Sequence, residues 1–536
     1  MFDTAAVFKA YDIRGTVPDQ LTVPLVRRIG AAYAAFVRTK EPENCEIVLG
    51  RDMRDSGVEL SRAFADGVIE QGLGVVWLGL ASTDLVYFAS GSLDLPGVMF
   101  TASHNPAGYN GIKACLSAAV PIGVESGLAA IEAMVHNPPP SVAVPGAERH
   151  LDMLDGFVAH VHSFVDPAGF RPLKVVADTA NGMGGLVVPA VFADLPFDLE
   201  VMYEDLDGNF PNHEANPLDI ANQADLMKRV VEVGADIGLA FDGDADRVFV
   251  VDELAQPLSG STLTAMVGAR LLRENPGGTI IHNLICSAAV GEVAVEEGGS
   301  AVVSRVGHSY IKQLMAETGA IFAGEHSGHY YFRDNYRADS GIIAALIVLE
   351  MVCESDAPLS ELRKPFERYW QSGELNSVVD DAAAVVERIK DHFAHCEHDY
   401  LDGLTVKGDT WWFNLRASNT EPLLRLNLEA ANAEAGTVLV AEVRSLINCQ
   451  DPSPSGEAMT LDPRLLEILA CPEDKGPLLW FADENILYNP RLTRSYEVKG
   501  NIPVMLVDEA TTVDAAEHDR LVAKAEADGI STTFSV

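Results

Sequence analysis

Residues 235–253 read ADIGLAFDGDADRVFVVDE. Two short apolar runs, IGLAF and VFVV, flank a tight loop that carries Asp242, Asp244, Asp246 and Arg247. Runs of this length, bounded by turn residues, predict two strands joined by an acidic turn rather than two helices. Carboxylates at alternate loop positions supply the hard oxygen ligands that Mg2+ or Ca2+ requires. An EF-hand competes for the same residues, and Glu253 falls at its twelfth loop position. Its sixth position, however, is Arg247 where that loop needs glycine, and its flanks would be helical. Two other competitors are a dehalogenase-type strand end, with Asp242 itself phosphorylated, and the D-x-D metal motif of glycosyltransferases. Four charges directly after IGLAF favour a metal loop over a solvated turn.

The same cadence recurs on either side. EIVLGRDMRDSG (46–57), LKVVADTANGMGG (173–185) and TIIHNLICS (279–287) each run from an apolar strand into a polar or glycine-bearing turn and then a helical pattern. Strand–turn–helix alternation predicts α/β units. HNPPPSVAVPG (136–146) punctuates the first two units, and QDPSPSGEA (450–458) reads as a linker to a separate C-terminal segment.

Composition narrows the function classes. The 536 residues, 48% hydrophobic and 22% charged, suffice for several packed cores. A net charge of −40 argues against nucleic acid or an anionic membrane as partner, since neither would be neutralised. A small anionic substrate remains compatible, because a few convergent Arg and Lys side chains make a local positive pocket. Seven scattered cysteines, none in a C-x-x-C pair, fit a reducing cytosol. The N-terminus MFDTAAVFKAYDIRG lacks the apolar stretch of a signal peptide, and GIIAALIVLEMV (341–352) is too short to span a bilayer. The expectation is a cytoplasmic protein.

Three further stretches carry chemistry. FTASHNP (100–106) ends the apolar run LPGVMF and offers a nucleophilic Ser103, a ligand in His104, or an ordinary polar turn. GEHSGH (324–329) places Glu325, His326, Ser327 and His329 in an open glycine-flanked loop, which suits sugar hydroxyls and also reads as a polar turn. LRASNTEPLLRLNLEA (415–430) sets Arg416, Ser418, Asn419 and Thr420 before a strand-like run with Arg425. Arginine beside small hydroxyl and amide donors is a way to cradle a phosphate dianion, with an ordinary turn as the alternative. YDIRG adds Arg14, and YNGIK places Lys113 shortly after Ser103.

Taken together and in this order, the four motifs resemble the α-D-phosphohexomutase superfamily, in its phosphomannomutase/phosphoglucomutase branch, over roughly residues 1–450. TASHNP resembles the family's phosphoserine loop, DGDADR its Mg2+ loop, GEHSGH its sugar-specificity loop and RASNTEP its phosphate-binding loop. His326 stands where phosphoglucosamine relatives show Gln, which points to the mannose/glucose branch. The resemblance implies α/β domains at 1–145, 146–254 and 255–370, of shared topology, and a smaller α+β domain at 371–450, all around one cleft. Many mannose/glucose members carry a lysine where this chain has Ile285 in HNLICS.

The family mechanism then implies a mutase that exchanges mannose 6-phosphate and mannose 1-phosphate through a phosphoserine and a hexose 1,6-bisphosphate that turns round in the cleft. Ser103 would carry phosphate, with Asp242, Asp244 and Asp246 sharing Mg2+ with it. Lys113 would act as general acid/base, beside His104 and Arg247. Arg416, Ser418, Asn419, Thr420 and Arg425 would hold the substrate phosphate. Glu325 and Ser327 would grip ring hydroxyls, and Arg14, His308 and His329 would line the cleft. Phosphoglucomutase or dual specificity is the near alternative. A non-catalytic sugar-phosphate sensor is the distant one, disfavoured because a sensor needs no phosphoryl carrier. Residues 459–536 resemble the small zinc-ribbon-like tRNA-methyltransferase activator family, a common platform for protein partners. Cys471 stands alone there, with Asp474 in place of a second ligand and His518 the sole histidine, so zinc is not expected.

Overall fold

A computed structural model describes residues 2–137, 140–379, 381–417, 423–448, 461, 463–466, 469–499, 502–507 and 510–534. The chain divides into two compact units, Met1–Ile447 and Asn448–Val536.

In the first unit, three sheets repeat one wiring. Each has a central strand (Glu46–Arg51, Lys174–Asp178 or Thr279–Asn283) flanked by two parallel neighbours. The third strand of each sheet (Gly97–Phe100, Ile237–Phe241 or Phe322–Gly324) then pairs with an antiparallel fourth (Tyr109–Leu116, Val248–Asp252 or Tyr330–Phe332). The first sheet is extended by Ile13–Thr16 at one edge and Glu148–His150 at the other. The shared order is 2-1-3-4, so the α/β reading holds together with the shared topology.

That wiring places the chemistry. FTASHNP, DGDADR and GEHSGH each occupy the connection between strands three and four of their own sheet. The fourth sheet is antiparallel, in the order Trp370–Val378, Leu423–Ala430, Trp411–Ala417, Leu404–Lys407, Glu397–Asp399, and is covered by the helices Ala382–His392 and Ala433–Asn448. Arg416 sits at the end of one of its strands, entering the connection to the next.

Burial explains the apolar stretch noted at 341–352. The helix Gly341–Glu354 is buried on nearly every side, within a core that also takes residues from the first and second sheets' layers. A helix apolar all round belongs in a core. Its one mid-helix charge, Glu350, accepts from the Asp166 N–H at 2.7 Å and pairs with Arg270 at 3.0 Å. Among the described residues no helix is long and apolar enough to cross a membrane.

The second unit has its own cores. Leu461, Cys471, Leu478, Leu487, Tyr496 and Val498 form one, and Phe481, Tyr488, Leu521 and Ala525 another. The linker at 450–458 lies outside the described residues.

Candidate functional site

Strand Gly97–Phe100 is wholly buried and delivers Ser103 to one end of its sheet. Ser103 takes a left-handed backbone (φ 49°), and its N–H donates to Thr101 Oγ1 at 2.9 Å. The loop is tied down from beneath by Arg54, which is 1% exposed. Its guanidinium donates to the carbonyls of Ser103 (2.9 Å), Asn105 (2.6 Å), Pro106 (2.8 Å) and Tyr109 (3.0 Å), and pairs with Asp52 at 3.2 Å. Burial pulls the Arg54 pKa down, and Asp52 opposes that pull.

Ser103 Oγ donates to Asp242 Oδ2 at 2.7 Å, so the loops of the first two sheets meet. Gly243 permits it: a Cβ there would lie 2.5 Å from the Ser103 carbonyl oxygen. Arg247 donates through Nε to Asp242 Oδ2 at 2.9 Å and through Nη2 to His104 Nδ1 at 2.6 Å. His104 therefore accepts at Nδ1 and is neutral; burial, then Arg247 and Arg14, hold its pKa well below the usual histidine value.

All three aspartates are fully buried, and their carboxylate oxygens converge within 4.8 Å of one another. Lys113 Nζ lies between Asp244 Oδ2 (2.7 Å) and Asp246 Oδ2 (2.6 Å). Thr83 Oγ1 also donates to Asp244, at 2.6 Å. Burial works to raise Asp244, but Lys113 and Thr83 outweigh it and hold the group ionised. Burial and the neighbouring carboxylates push Asp242 and Asp246 upward. Desolvation lowers Lys113, yet Asp244 and Asp246 more than offset it, so the side chain stays an ammonium. Asp244 Oδ1 and Asp246 Oδ1 are buried without a hydrogen-bond partner among the described residues. Orphaned anionic oxygens beside a third carboxylate fit a hard divalent cation.

The third sheet's loop joins from the side. Arg247 and His329 bridge through their backbones, and His329 Nε2 is 3.8 Å from Asp246 Oδ1. Ser327 Oγ lies 3.0 Å from His329 Nδ1. Glu325 accepts from Tyr331 OH (2.7 Å), Asn283 Nδ2 (3.2 Å) and the Gly307 N–H (3.3 Å), which fixes its carboxylate. His308 opens the helix His308–Thr318 and packs edge-on to Tyr11; burial, reinforced by Lys312, pushes its pKa down to about 3.

One cavity of about 710 Å3 gathers Arg14, Ser103, His104, Lys113, Asp246, Arg247, His308, His329 and Arg425 from all four sheets. Arg416 is paired with Asp402 at 3.4 Å. Ser418, Asn419 and Thr420 lie outside the described residues. Arg54, Thr83, Tyr11 and Asp402 were not anticipated. The charge-dense GRDMRDSG was a faint signal for Arg54; the others act through contacts between distant segments.

Family models describe the same layout. Phosphoglucomutase/phosphomannomutase alpha/beta/alpha domains I, II and III match residues 5–139, 155–255 and 259–369, and the C-terminal domain of that family matches 374–446. A Trm112p-like protein model matches 462–501. The chain is 40% identical over 431 residues to the phosphohexose mutases of Xanthomonas campestris pv. campestris, covering 80% of this chain and 95% of that one. It is 37% identical over 450 residues to the phosphomannomutase of Escherichia coli K12, covering 82% and 97%. The crystal structure of a phosphoglucomutase/phosphomannomutase family protein from Burkholderia thailandensis superposes with a TM-score of 0.77 at 30% identity, over 85% of this chain and 99% of that one. Fold and site thus define a phosphohexomutase-type isomerase. The chain belongs to the phosphoglucomutase/phosphomannomutase family, with a Trm112p-like region appended.

In the second unit, Cys471 Sγ lies 3.3 Å from Tyr496 OH, and Asp474 accepts from Arg491 at 2.8 Å. His518 is engaged by Tyr488 OH at 2.6 Å.

Proposed function

We propose that the protein interconverts mannose 6-phosphate and mannose 1-phosphate, with Ser103 as phosphoryl carrier and a hexose 1,6-bisphosphate as intermediate. The observation that carries this reading is the Ser103–Asp242 contact at the floor of a cavity lined by Arg14, Lys113, Arg247 and Arg425. An acidic chain has concentrated cations at one hydroxyl, as transfer of a phosphoryl group between oxygens requires.

In this reading a sugar hydroxyl oxygen attacks phosphorus on Ser103, and the bond from phosphorus to Oγ breaks. Lys113, held as an ammonium, donates a proton to the departing serine oxygen and takes up the proton that the attacking sugar hydroxyl loses. The ammonium is thereby restored, and the return step runs the same exchange in reverse. Arg247 keeps one donor on Asp242 and another toward Ser103, so it follows charge on the transferring group. Arg416, with Ser418, Asn419 and Thr420, anchors the phosphate that is not reacting, and Arg425 lies beside it. Glu325, with its carboxylate fixed by three donors, and Ser327 present oxygens to the ring hydroxyls. Asp242, Asp244 and Asp246 would hold Mg2+ with a phosphoryl oxygen; such an ion neutralises charge during transfer.

The names of relatives at 37–38% identity, phosphomannomutases, support mannose as the sugar, while Ile285 in place of the family lysine bears on the dual mannose/glucose preference. Turnover of mannose 1-phosphate and glucose 1-phosphate measured side by side tests the reading. Greater kcat/KM on glucose 1-phosphate would replace it with a phosphoglucomutase.

A further inference from the structure

The Val306–Gly307 turn is a node between three parts of the first unit. Tyr11 OH, from the first sheet's N-terminal segment, donates to the Val306 carbonyl at 3.0 Å. The Gly307 N–H donates to Glu325 at 3.3 Å. The Val306 N–H donates to Asp402 Oδ2 at 3.1 Å, which docks the fourth domain on the third. That same Asp402 oxygen is 3.4 Å from Arg416 Nη1.

The backbone fixes Asp402 where it is. Asn414 Nδ2 donates to the Asp402 carbonyl at 2.9 Å. Gly403 has φ +75°, and a Cβ on it would stand 2.5 Å from the Leu415 carbonyl oxygen. The loop is therefore pressed against the strand that ends in Arg416. The contact with Arg416, however, is single and long, not the two-pronged fork by which a carboxylate orients a guanidinium. It can attract the cation without aiming it.

We infer that Asp402 is a counter-ion that competes with the bound phosphate for Arg416 and so sets how readily the fourth domain lets that phosphate go. The inference rests on the reading of Arg416 as the phosphate anchor. Its logic is kinetic. A bisphosphate that must turn round, and a product that must leave, both need the anchor to release; a fixed anion beside the arginine lowers affinity for that purpose. Asp402 keeps its bond to the Val306 N–H throughout, so the domain stays docked while Arg416 changes partner.

Asp402→Asn separates the two roles, because the amide oxygen still accepts from Val306 while the charge is gone. With mannose 1-phosphate, KM should fall about two- to fivefold, the scale of a partly exposed ion pair. The value of kcat should fall alongside it, and inorganic phosphate should inhibit more tightly. The gap from wild type should narrow at high ionic strength, as a charge effect does and a structural one does not. Arg416→Ala, run in parallel, should raise KM about ten- to a hundredfold. An Asp402→Asn enzyme whose KM is unchanged or raised, while Arg416→Ala raises KM, would overturn the competition and leave the anchor standing. Wild-type KM in Arg416→Ala would overturn the anchor and the competition together.

Discussion

Ser103 Oγ and Asp242 Oδ2 lie 2.7 Å apart although 139 residues separate them in the chain. Either could carry a phosphoryl group by chemistry alone, one as a phosphate ester and the other as an acyl phosphate. Asp242 is occupied by the Arg247 Nε and N–H donors as well as by Ser103, whereas Ser103 borders the open cavity. The purified enzyme should therefore carry phosphate that survives hydroxylamine and maps to Ser103. Ser103→Ala should lose that label and roughly a thousandfold or more in turnover. Hydroxylamine-labile phosphate would move the carrier to the aspartate.

The orphaned oxygens of Asp244 and Asp246 predict a response to metal that needs no assay of turnover. Mg2+ should raise the Tm of the wild-type protein, since filling a site to a hundred times its dissociation constant adds about 2.7 kcal/mol. Asp244→Asn should lose most of that increment. Chelation should abolish turnover and added Mg2+ restore it. An unchanged Tm with Mg2+, or full activity in excess chelator, would remove the ion from this loop.

Arg54 holds four carbonyls and one buried carboxylate without itself reaching the cavity. Arg54→Ala leaves Asp52 buried and unpaired and should cost about 3–5 kcal/mol. Arg54→Lys should rescue little, because one ammonium cannot reach carbonyls spread along the whole loop. Urea unfolding together with kcat checks this; a lysine variant with wild-type stability and turnover would show the loop holds its own shape.

Asp84, the chain neighbour of the Thr83 that donates to Asp244, predicts a pH effect on stability. It is buried, accepts from the Ser82 and Ser340 hydroxyls, and is pushed up to about 7 by desolvation, with Asp246 adding and the two hydroxyls opposing. A free aspartate titrates near about 3.9. Between that value and 7 the unfolded chain has lost a proton that the folded protein keeps, so stability falls as pH rises, by up to about 1.4 kcal/mol per pH unit. Above the folded pKa the loss is complete. Asp84→Asn cannot ionise, so it should gain on the wild type between pH 4 and 7 and hold that gain above. Parallel pH slopes for the two proteins would mean Asp84 is ionised throughout.

What could be read from the chain follows from what is local. Each motif follows its own strand, so IGLAF before DGDADR and LPGVMF before TASHNP announced both the strand and the loop it presents. Helix Gly341–Glu354 was legible as apolar, but its place in a shared core depends on which layers close over it. Arg54 was hidden because charges in GRDMRDSG read like any solvated turn, and only the folded TASHNP loop turns its carbonyls inward. Asp402 and Tyr11 gain meaning solely from the node at Val306, which joins three parts of the chain. No periodicity encodes such a meeting.

The C-terminal unit supplies the last prediction. Asn448–Val536 is compact on its own and has two apolar cores, one of them taking in Cys471. Among the described residues of the unit, Cys471, Asp474 and His518 are already committed to other partners: Cys471 to Tyr496, Asp474 to Arg491, His518 to Tyr488. A structural zinc needs four thiolate or imidazole ligands around one point. The purified full-length protein should therefore contain no stoichiometric zinc, and chelators should leave the unit folded. Cleavage within 450–458 should leave mutase turnover largely intact, because every candidate catalytic residue lies in the first unit. One zinc per chain by elemental analysis would overturn the first half. A truncated protein that folds but cannot turn over mannose 1-phosphate would overturn the second, and would make the appended unit part of the working enzyme.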